Sequence, residues 1–175
     1  ITRFYLIFKG FAVASKRIMV IQGPNINILG KRDPAHYDTL SMDKIHAQMK
    51  SLAEQAGHEI EFFQSNYEGE IVDKIQECMG EFDGIIINPA AYAHTSIAIL
   101  DALAATRIPV IEVHLSNIFA REEFRKTSLT AMASAGQISG FGPMSYYLAT
   151  IGLLQIFDQL ELLEQQRVAQ AQKAN

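Results

Sequence analysis

The chain has 175 residues, of which 49% are hydrophobic and 19% are charged, so it is long enough to bury the core of one globular domain. Its 15 basic and 19 acidic residues give a formal net charge of −4 without a basic stripe, which argues against a nucleic-acid-binding surface. A single cysteine, Cys78, excludes a disulfide framework within the chain. Its helical spacing from Ile71 and Ile75 predicts a buried, unreactive thiol.

The first 16 residues, ITRFYLIFKGFAVASK, differ in character from the rest of the chain. They form an aromatic, apolar run that is interrupted by Lys9 and Gly10 and is too short to span a bilayer. A secretory signal would suit this length and the small residues near Ala14, but the sequence that follows is typical of a cytoplasmic enzyme. We therefore interpret residues 1–16 as an artefactual or mis-started extension, and residues 17–175 as a single catalytic α/β domain.

Strands and helices alternate from Arg17 onward. The patterns predict strands at 17–22, 59–65, 84–88, 110–114 and 137–142, and helices at 41–57, 68–80, 94–106 and 145–166, followed by a fraying polar tail. Ser41 is placed to cap the first helix and Gly57 to end it. This alternation predicts a parallel sheet covered on both faces, and five strands suit a flavodoxin-like, doubly wound fold with three layers, α/β/α.

The loop GPNINILGKRDPAHY, residues 23–37, joins the first strand to the first helix, where open α/β sheets place their chemistry. It does not match a phosphate-binding loop, because Asn25 stands where a Walker motif needs glycine and Arg32 stands where it needs a hydroxyl. The loop instead offers amides, the cations Lys31 and Arg32, and the phenol of Tyr37.

Residues that directly follow parallel strands meet at one edge of the sheet. Here they are Asn25, Arg32 and Tyr37 after the first strand; Asn66, Tyr67 and Glu68 after the second; Asn88 and His94 after the third; and His114, Leu115 and Ser116 after the fourth, with Arg121 and Arg125 behind them. These residues offer hydrogen-bond donors for the hydroxyl and carboxylate groups of a substrate, together with a phenol and two imidazoles. Such a set suits a polyhydroxylated acid as substrate. The five histidines show no HxxxH or HExxH spacing and there is no cysteine pair, so no metal site is predicted.

Each of these residues also has a purely structural interpretation. A histidine after a strand can be a hydrogen-bonded structural group, Asn25 and Asn88 beside prolines can be turn residues, and Tyr37 can be a packing aromatic. The segment AREEFRK can be a solvated surface with weak ion pairs. The joint occurrence of these groups favours the catalytic interpretation.

Five ordered motifs make the chain similar to a known family: GPNINILGKRDPAHY, FFQSNYEGEIVDKIQE, IINPAAYAHTSIAILDA, IEVHLSNIFAREEFRKTS and ISGFGPMSYYLA. From about residue 17 to about 159 it resembles type II 3-dehydroquinate dehydratase. The resemblance implies a flavodoxin-like fold, a dodecamer built as a tetramer of trimers, and cofactor-free dehydration of 3-dehydroquinate to 3-dehydroshikimate by anti elimination through an enolate. It also implies a cytoplasmic enzyme of the shikimate route to aromatic amino acids.

The resemblance also implies roles for individual residues. Tyr37 would be the base, activated by Arg32; His114 would be the general acid, supported by Glu112; and Asn25 would help hold the water that stabilises the enolate. Substrate would be bound by Asn88, His94, Leu115, Ser116 and Arg125, with Arg121 in support and Asp101 acting across a trimer interface. Leu100 departs from the family pattern, in which many members carry a polar or charged residue at that place.

Elementary chemistry agrees with these roles. Dehydrating a β-hydroxyketone needs a base, an enolate-stabilising group and an acid, and a phenol acts as a base only if nearby guanidinium charge lowers its pKa. Two other classes of protein are weighed against this function. A flavodoxin-like binding or receiver domain would need flavin loops or an acidic pocket, which the sequence lacks, and a lyase of different specificity need not combine Tyr37 with His114. Biosynthesis and quinate breakdown are both compatible with the sequence.

Overall fold

The computed structural model describes residues 14–29 and 41–174. Five parallel strands form one sheet in the order β2-β1-β3-β4-β5, which confirms the predicted flavodoxin-like α/β fold. The strands are β1 (Arg17–Gln22), β2 (Glu59–Gln64), β3 (Gly84–Asn88), β4 (Val110–His114) and β5 (Gly136–Ser139), and the α-helices are α1 (Met42–Gln55), α2 (Glu68–Glu77), α3 (Ile97–Thr106) and α4 (Met144–Ala174).

Helices cover both faces of the sheet because its central strands are apolar on both sides. β3 and β4 are buried along their whole length, and β1 is buried after its first residue. One core packs α1 and α4 against residues such as Val20, Ile86 and Val113, and a second packs α2 and α3 against residues such as Ile21 and Ile87. The three-layer arrangement follows from this double burial.

Three local features differ from or refine the predictions. α3 begins only at Ile97, because Ser96 caps it by accepting a 2.9 Å hydrogen bond from the Ile99 N–H, while Ala90–His94 forms a separate 3₁₀ turn. Gly57, with φ 81°, ends α1 as predicted, whereas Ser41 occupies the N-cap position without a side-chain hydrogen bond. The predicted fraying after residue 166 was wrong, since α4 continues to Ala174.

The continuation of α4 has a local explanation. Its last segment is rich in Gln, Ala, Arg and Lys, which favour helix, and Arg167 donates two hydrogen bonds of 2.8 and 2.7 Å to Glu164 one turn earlier. No helix in the described part of the chain is both long enough and apolar enough to cross a membrane.

Lys16, which the sequence places at the end of the extension, already takes part in the fold. Its backbone N–H donates to His58 Nδ1 at 3.1 Å, its carbonyl accepts from the Glu59 N–H, and its ammonium lies 3.1 Å from Asp83. Residues 1–13 and 30–40, which include most of the predicted extension together with Arg32 and Tyr37, lie outside the described residues.

The carboxyl ends of β1 and β3 approach each other closely. The Gly23 N–H donates to the Asn88 carbonyl at 2.8 Å, and a Cβ on Gly23 would lie only 2.4 Å from the Pro89 oxygen. Glycine is therefore required at this position. The contact brings the start of the 23–37 loop against the end of β3, so that polar residues following the two strands share one edge of the sheet.

Candidate active site

His114 and Glu112 form a buried pair at the end of β4. They are two residues apart on one strand, so their side chains lie on the same face, and His114 Nε2 is 2.7 Å from Glu112 Oε1. Glu112 is fully buried and His114 is 6% exposed. A carboxylate at this depth is costly unless its oxygens are well satisfied by hydrogen bonds.

Three further side chains satisfy Glu112. Ser128 Oγ donates to Oε1 at 2.6 Å, Gln137 Nε2 donates to Oε1 at 2.8 Å, and Thr130 Oγ1 donates to Oε2. Burial would raise the pKa of Glu112, but the hydrogen bonds from His114, Ser128 and Thr130 outweigh it and the pKa is lowered. Glu112 is therefore a carboxylate near neutral pH.

The charge state of Glu112 fixes the orientation of His114. A carboxylate only accepts hydrogen bonds, so His114 Nε2 carries the proton that points to Glu112. Nδ1 is the ring nitrogen left for chemistry. The buried carboxylate thus holds the His114 ring in one orientation.

His94 lies beside His114, and a hydrogen bond to the backbone of a separate segment holds its ring. The two rings are nearly parallel with centroids 6.4 Å apart, and His94 Nδ1 is 2.8 Å from the Thr127 carbonyl oxygen. Because a carbonyl only accepts, Nδ1 carries the proton and Nε2 is free to accept or donate elsewhere. The Leu129 N–H also donates to the Ala93 carbonyl at 2.7 Å, which holds the two segments together.

The peptide units of Leu115 and Ser116 are anchored to the loop after β5. The Leu115 carbonyl accepts from the Gly142 N–H at 2.9 Å, and the Ser116 carbonyl accepts from Ser139 Oγ at 3.1 Å. The bond at the Leu115 carbonyl fixes the peptide plane that carries the Ser116 N–H. The plane that carries the Leu115 N–H is fixed at the His114 carbonyl, which accepts from the Gly140 N–H at 3.2 Å. Backbone N–H groups held in this way can bind an anion.

Asn88 and Asn25 follow β3 and β1. Asn88 continues the face of Ile86, which packs with α1 and α4, so it leaves the sheet on the opposite side from His114. Asn25 adopts a left-handed conformation with φ 68°, its N–H donates to Asn66 Oδ1 at 2.9 Å, and its side chain is exposed. The candidate site therefore lies across the strand ends rather than on one face.

Among residues 14–29 and 41–174, no hydrogen bond or ion pair joins Arg121, Arg125 or Asp101 to His114. The Nε atoms of Arg121 and Arg125 lie 3.6 and 3.2 Å from Glu122 Oε2, so both arginines share one carboxylate. Arg125 Nε is buried, and no described residue meets it with hydrogen-bond geometry. Asp101 lies on the exposed side of α3.

Two comparisons define what the chain is related to. The family model described as dehydroquinase class II matches residues 16–154. The chain belongs to this family. A 3-dehydroquinate dehydratase of Campylobacter hominis is 64% identical over 148 residues, which cover 85% of this chain and 96% of that protein.

Solved type II dehydroquinases have the same fold. The structure from Butyrivibrio crossotus matches with a TM-score of 0.75 and 44% identity over 81% of this chain and 98% of its own. That from Propionibacterium acnes matches with a TM-score of 0.73 and 38% identity over 81% of this chain and 99% of its own. The resemblance inferred from the five motifs is therefore confirmed.

Some polar residues near the candidate site were not predicted from the sequence: Gln22, Ser128, Thr130, Gln137 and Tyr146. Gln22 ends an otherwise apolar strand and is 2% exposed, so a polar residue in a buried run was an available signal. Ser128 lies in a loop and Thr130 begins a short 3₁₀ helix, Thr130–Ala133, so neither follows a longer periodic pattern. Among the described residues, no group of three or more His, Cys, Asp or Glu side chains is arranged to hold a metal ion.

Proposed function

We propose that this chain dehydrates 3-dehydroquinate to 3-dehydroshikimate, the reaction named by its relatives, as a step of aromatic amino acid biosynthesis. The observation that carries the proposal is the buried Glu112–His114 pair beside His94 at the carboxyl edge of the sheet. A protonated imidazole with one fixed nitrogen free is the group needed to protonate a departing hydroxyl.

The reaction breaks one C–H and one C–O bond without a net change in oxidation state. A base removes a proton from the carbon next to the ketone, and the electron pair moves onto the carbonyl oxygen as an enolate. The enolate then forms the carbon–carbon double bond and expels the β-hydroxyl, which leaves as water after accepting a proton. No cofactor is needed for any of these bond changes.

In the proposed mechanism Tyr37 is the base, Arg32 lowers its pKa, and Asn25 helps to hold a water at the enolate oxygen. Tyr37 and Arg32 are assigned from the family motif, because both lie outside the described residues. Tyr146, a buried phenol at the same edge of the sheet, does not suit the role of base, since burial raises its pKa to about 12.

His114 delivers the second proton from Nδ1, because Nε2 is committed to Glu112. Its own carbonyl accepts from the Gly140 N–H at 3.2 Å, so backbone and ring are both held. Glu112 stabilises the imidazolium before transfer, and the donors of Ser128, Thr130 and Gln137 keep Glu112 ionised.

Substrate recognition is assigned to Asn88, His94, and the backbone of Leu115 and Ser116, with Arg125 and Arg121 as cations for the carboxylate. The two guanidinium groups already share the Glu122 carboxylate, so they lie close enough to act on one anion. A substrate carboxylate would compete with Glu122 for them.

We further propose a dodecamer, a tetramer of trimers, in which Asp101 reaches the site of a neighbouring copy. Two observations support an interface here: Asp101 is exposed on α3, and Ile97 on the same helix is 63% exposed. A cytoplasmic location is part of the proposal, since the free Cys78 thiol suits a reducing compartment.

A direct assay tests the function. Purified protein is mixed with 3-dehydroquinate and ultraviolet absorbance is followed, because the product is a conjugated enone and the substrate is not. Absorbance should rise with wild type, and Tyr37→Phe should lower kcat by roughly 10²- to 10⁴-fold, as expected for a lost general base. Tyr147→Phe, the matched control, should keep the wild-type rate. No absorbance change with folded wild-type protein would exclude the proposed reaction, and a Tyr37→Phe variant with more than about a tenth of the wild-type kcat would exclude Tyr37 as the base.

A further inference from the structure

The side-chain amide of Asn88 is held at both ends. Oδ1 accepts a 3.2 Å hydrogen bond from the Ala90 N–H, and Nδ2 donates a 2.9 Å hydrogen bond to Tyr146 Oη. A backbone N–H can only donate, so the oxygen must face Ala90 and the nitrogen must face Tyr146. Ala90 has φ 53°, a left-handed conformation that is unfavourable for a non-glycine residue and is found mainly where surrounding structure enforces it.

Tyr146 is a fully buried residue in the first turn of α4. Its hydroxyl lies inside the core that packs α4 against β1 and β3, where the surrounding side chains are mostly aliphatic. Burial raises its pKa to about 12, although hydrogen bonding with Asn88 and Gln22 acts in the opposite direction. The group is therefore a neutral phenol that serves Asn88 as an acceptor.

Gln22 extends this arrangement. It pairs directly with Asn88 in the ladder between β1 and β3, and both residues end their strands. Gln22 Nε2 lies 3.0 Å from His46 Nε2, and the His46 ring stacks on Phe62 with centroids 4.0 Å apart. Because an amide nitrogen only donates, His46 Nε2 accepts and the ring is neutral. Burial lowers the pKa of His46, which favours that neutral form.

We infer that Tyr146 is a positioning residue for the dehydration reaction: its hydroxyl orients the Asn88 amide so that the second Nδ2 proton faces the substrate, and Gln22, the ladder partner of Asn88, completes this buried polar cluster. The inference rests on the proposed function, in which Asn88 binds substrate. Nothing in the sequence pattern separates Tyr146 from an ordinary core aromatic. Its contact with Asn88 gives it a role in binding rather than in packing alone.

The test is Tyr146→Phe, which keeps the ring and removes only the acceptor. Without it, the Asn88 amide loses one of its two anchors and part of its preference for the binding orientation. KM for 3-dehydroquinate should rise roughly two- to tenfold, the range for one net hydrogen bond, while kcat changes less. A Tyr146→Phe variant that folds and keeps the wild-type KM would overturn the inference.

Thr150→Val is the matched control. Thr150 is also buried, lies one turn further along α4, and donates through Oγ1 to the Tyr146 backbone carbonyl at 2.9 Å. Its loss removes a buried hydroxyl of the same helix without touching Asn88. Both variants should lower the thermal unfolding temperature, but only Tyr146→Phe should raise KM. An equal rise in KM for both would assign the effect to α4 packing and contradict a specific role.

A double-mutant cycle isolates the route through Asn88. Asn88→Ala should raise KM by itself, and adding Tyr146→Phe should raise it no further, because the group being positioned is gone. Additive effects would show that Tyr146 acts elsewhere. If Tyr146→Phe does not fold, Gln22→Met replaces it in the cycle and should give a smaller rise that again vanishes in Asn88→Ala. Wild-type protein that is inactive towards 3-dehydroquinate would instead refute the proposed function, on which this inference rests.

Discussion

On the side of the sheet covered by α3, the site contains a buried carboxylate, Glu112, whereas on the side covered by α1 and α4 the buried polar groups around Asn88 are uncharged. Glu112 receives hydrogen bonds from His114, Ser128, Thr130 and Gln137. The Asn88 amide, by contrast, has the Tyr146 phenol and one backbone N–H as its described partners.

The difference reflects what each side is proposed to do. A buried charge requires nearly complete hydrogen bonding, and Glu112, at the proposed site of proton transfer, has it. Orienting a substrate hydroxyl needs only a fixed neutral donor, which costs less to bury. In the proposed mechanism, the two buried clusters at one edge of the sheet therefore divide proton transfer from substrate orientation.

The largest effect is expected from Glu112→Gln. This substitution removes the buried charge, so the polar clusters on both faces of the sheet are then uncharged. His114 then loses the anion that fixes its ring, so kcat should fall roughly 10- to 100-fold, by analogy with the loss of the hydrogen-bonded partners that orient metal-ligating histidines. The new amide also places donors against Ser128, Thr130 or Gln137, and the free energy of unfolding should fall by about 1–3 kcal/mol.

Steady-state kinetics and chemical unfolding check both effects. Glu164→Gln is the control, since Glu164 is exposed on α4 and pairs only with Arg167 among the described residues. It should change neither kcat nor stability measurably. Glu112→Gln with wild-type kcat would show that His114 does not depend on a buried anion.

A smaller effect is expected on the pH dependence of the free energy of unfolding, which should depend on the charged cluster around Glu112 and not on the uncharged cluster around Asn88. The pKa of the Glu112 carboxyl is lowered from 4.5 in the folded chain, so near that pH the unfolded chain binds more protons than the folded one. The stability contributed by Glu112 is fully present above the unfolded pKa and is lost as pH falls through the folded pKa.

Wild type should therefore lose stability more steeply below about pH 4.5 than Glu112→Gln, which lacks this titration. Unfolding free energies measured by denaturant titration between neutral pH and about pH 3 give the two slopes. Tyr146→Phe should follow the wild-type slope, because it alters only the uncharged side. Identical slopes for wild type and Glu112→Gln would mean that Glu112 is not perturbed in the folded chain.

Deleting residues 1–13 should have the smallest effect. The truncated chain therefore serves as a reference for the variants on both faces of the sheet. We propose that residues before Lys16 contribute nothing to catalysis or assembly, so kcat, KM and the light-scattering mass should equal those of the full chain. A deletion through Lys16 should cost some stability, because it removes the ion pair with Asp83 and the hydrogen bond to His58. Loss of activity on removing residues 1–13 would contradict the proposal.

The sequence predicted the fold well because its apolar runs are unambiguous. RIMVIQ, GIIIN and VIEVH are the three central strands, and residues after them meet at one edge as expected for parallel strands. The neighbourhood of His114 and Glu112 followed from strand periodicity alone. All the assignments of residues to catalysis or binding stay predictions, including those of Tyr37, Arg32 and Asp101.

The partners of these groups were not predictable in the same way. Ser128 and Thr130 contact Glu112 from a loop and the start of a short 3₁₀ helix, 16 and 18 positions away, and Tyr146 contacts Asn88 from a helix 58 positions later. Such contacts depend on how helices and loops settle on the sheet, which no local pattern encodes. The extent of α4 was missed for a different reason: weak intrahelical preferences, rather than burial, sustain its last turns.

The position of β1 has a consequence for how the chain folds. β1 is synthesised before its neighbours, yet it pairs with β2 on one side and β3 on the other, and the Arg17–Asp83 hydrogen bond joins residues 66 positions apart. Closing such long loops before any pairing is rewarded makes parallel sheets slow to form. During synthesis the apolar segment RIMVIQ must therefore wait for β2 to supply its first partner and for β3 to supply its second, and in that interval its unpaired edges are exposed to aggregation.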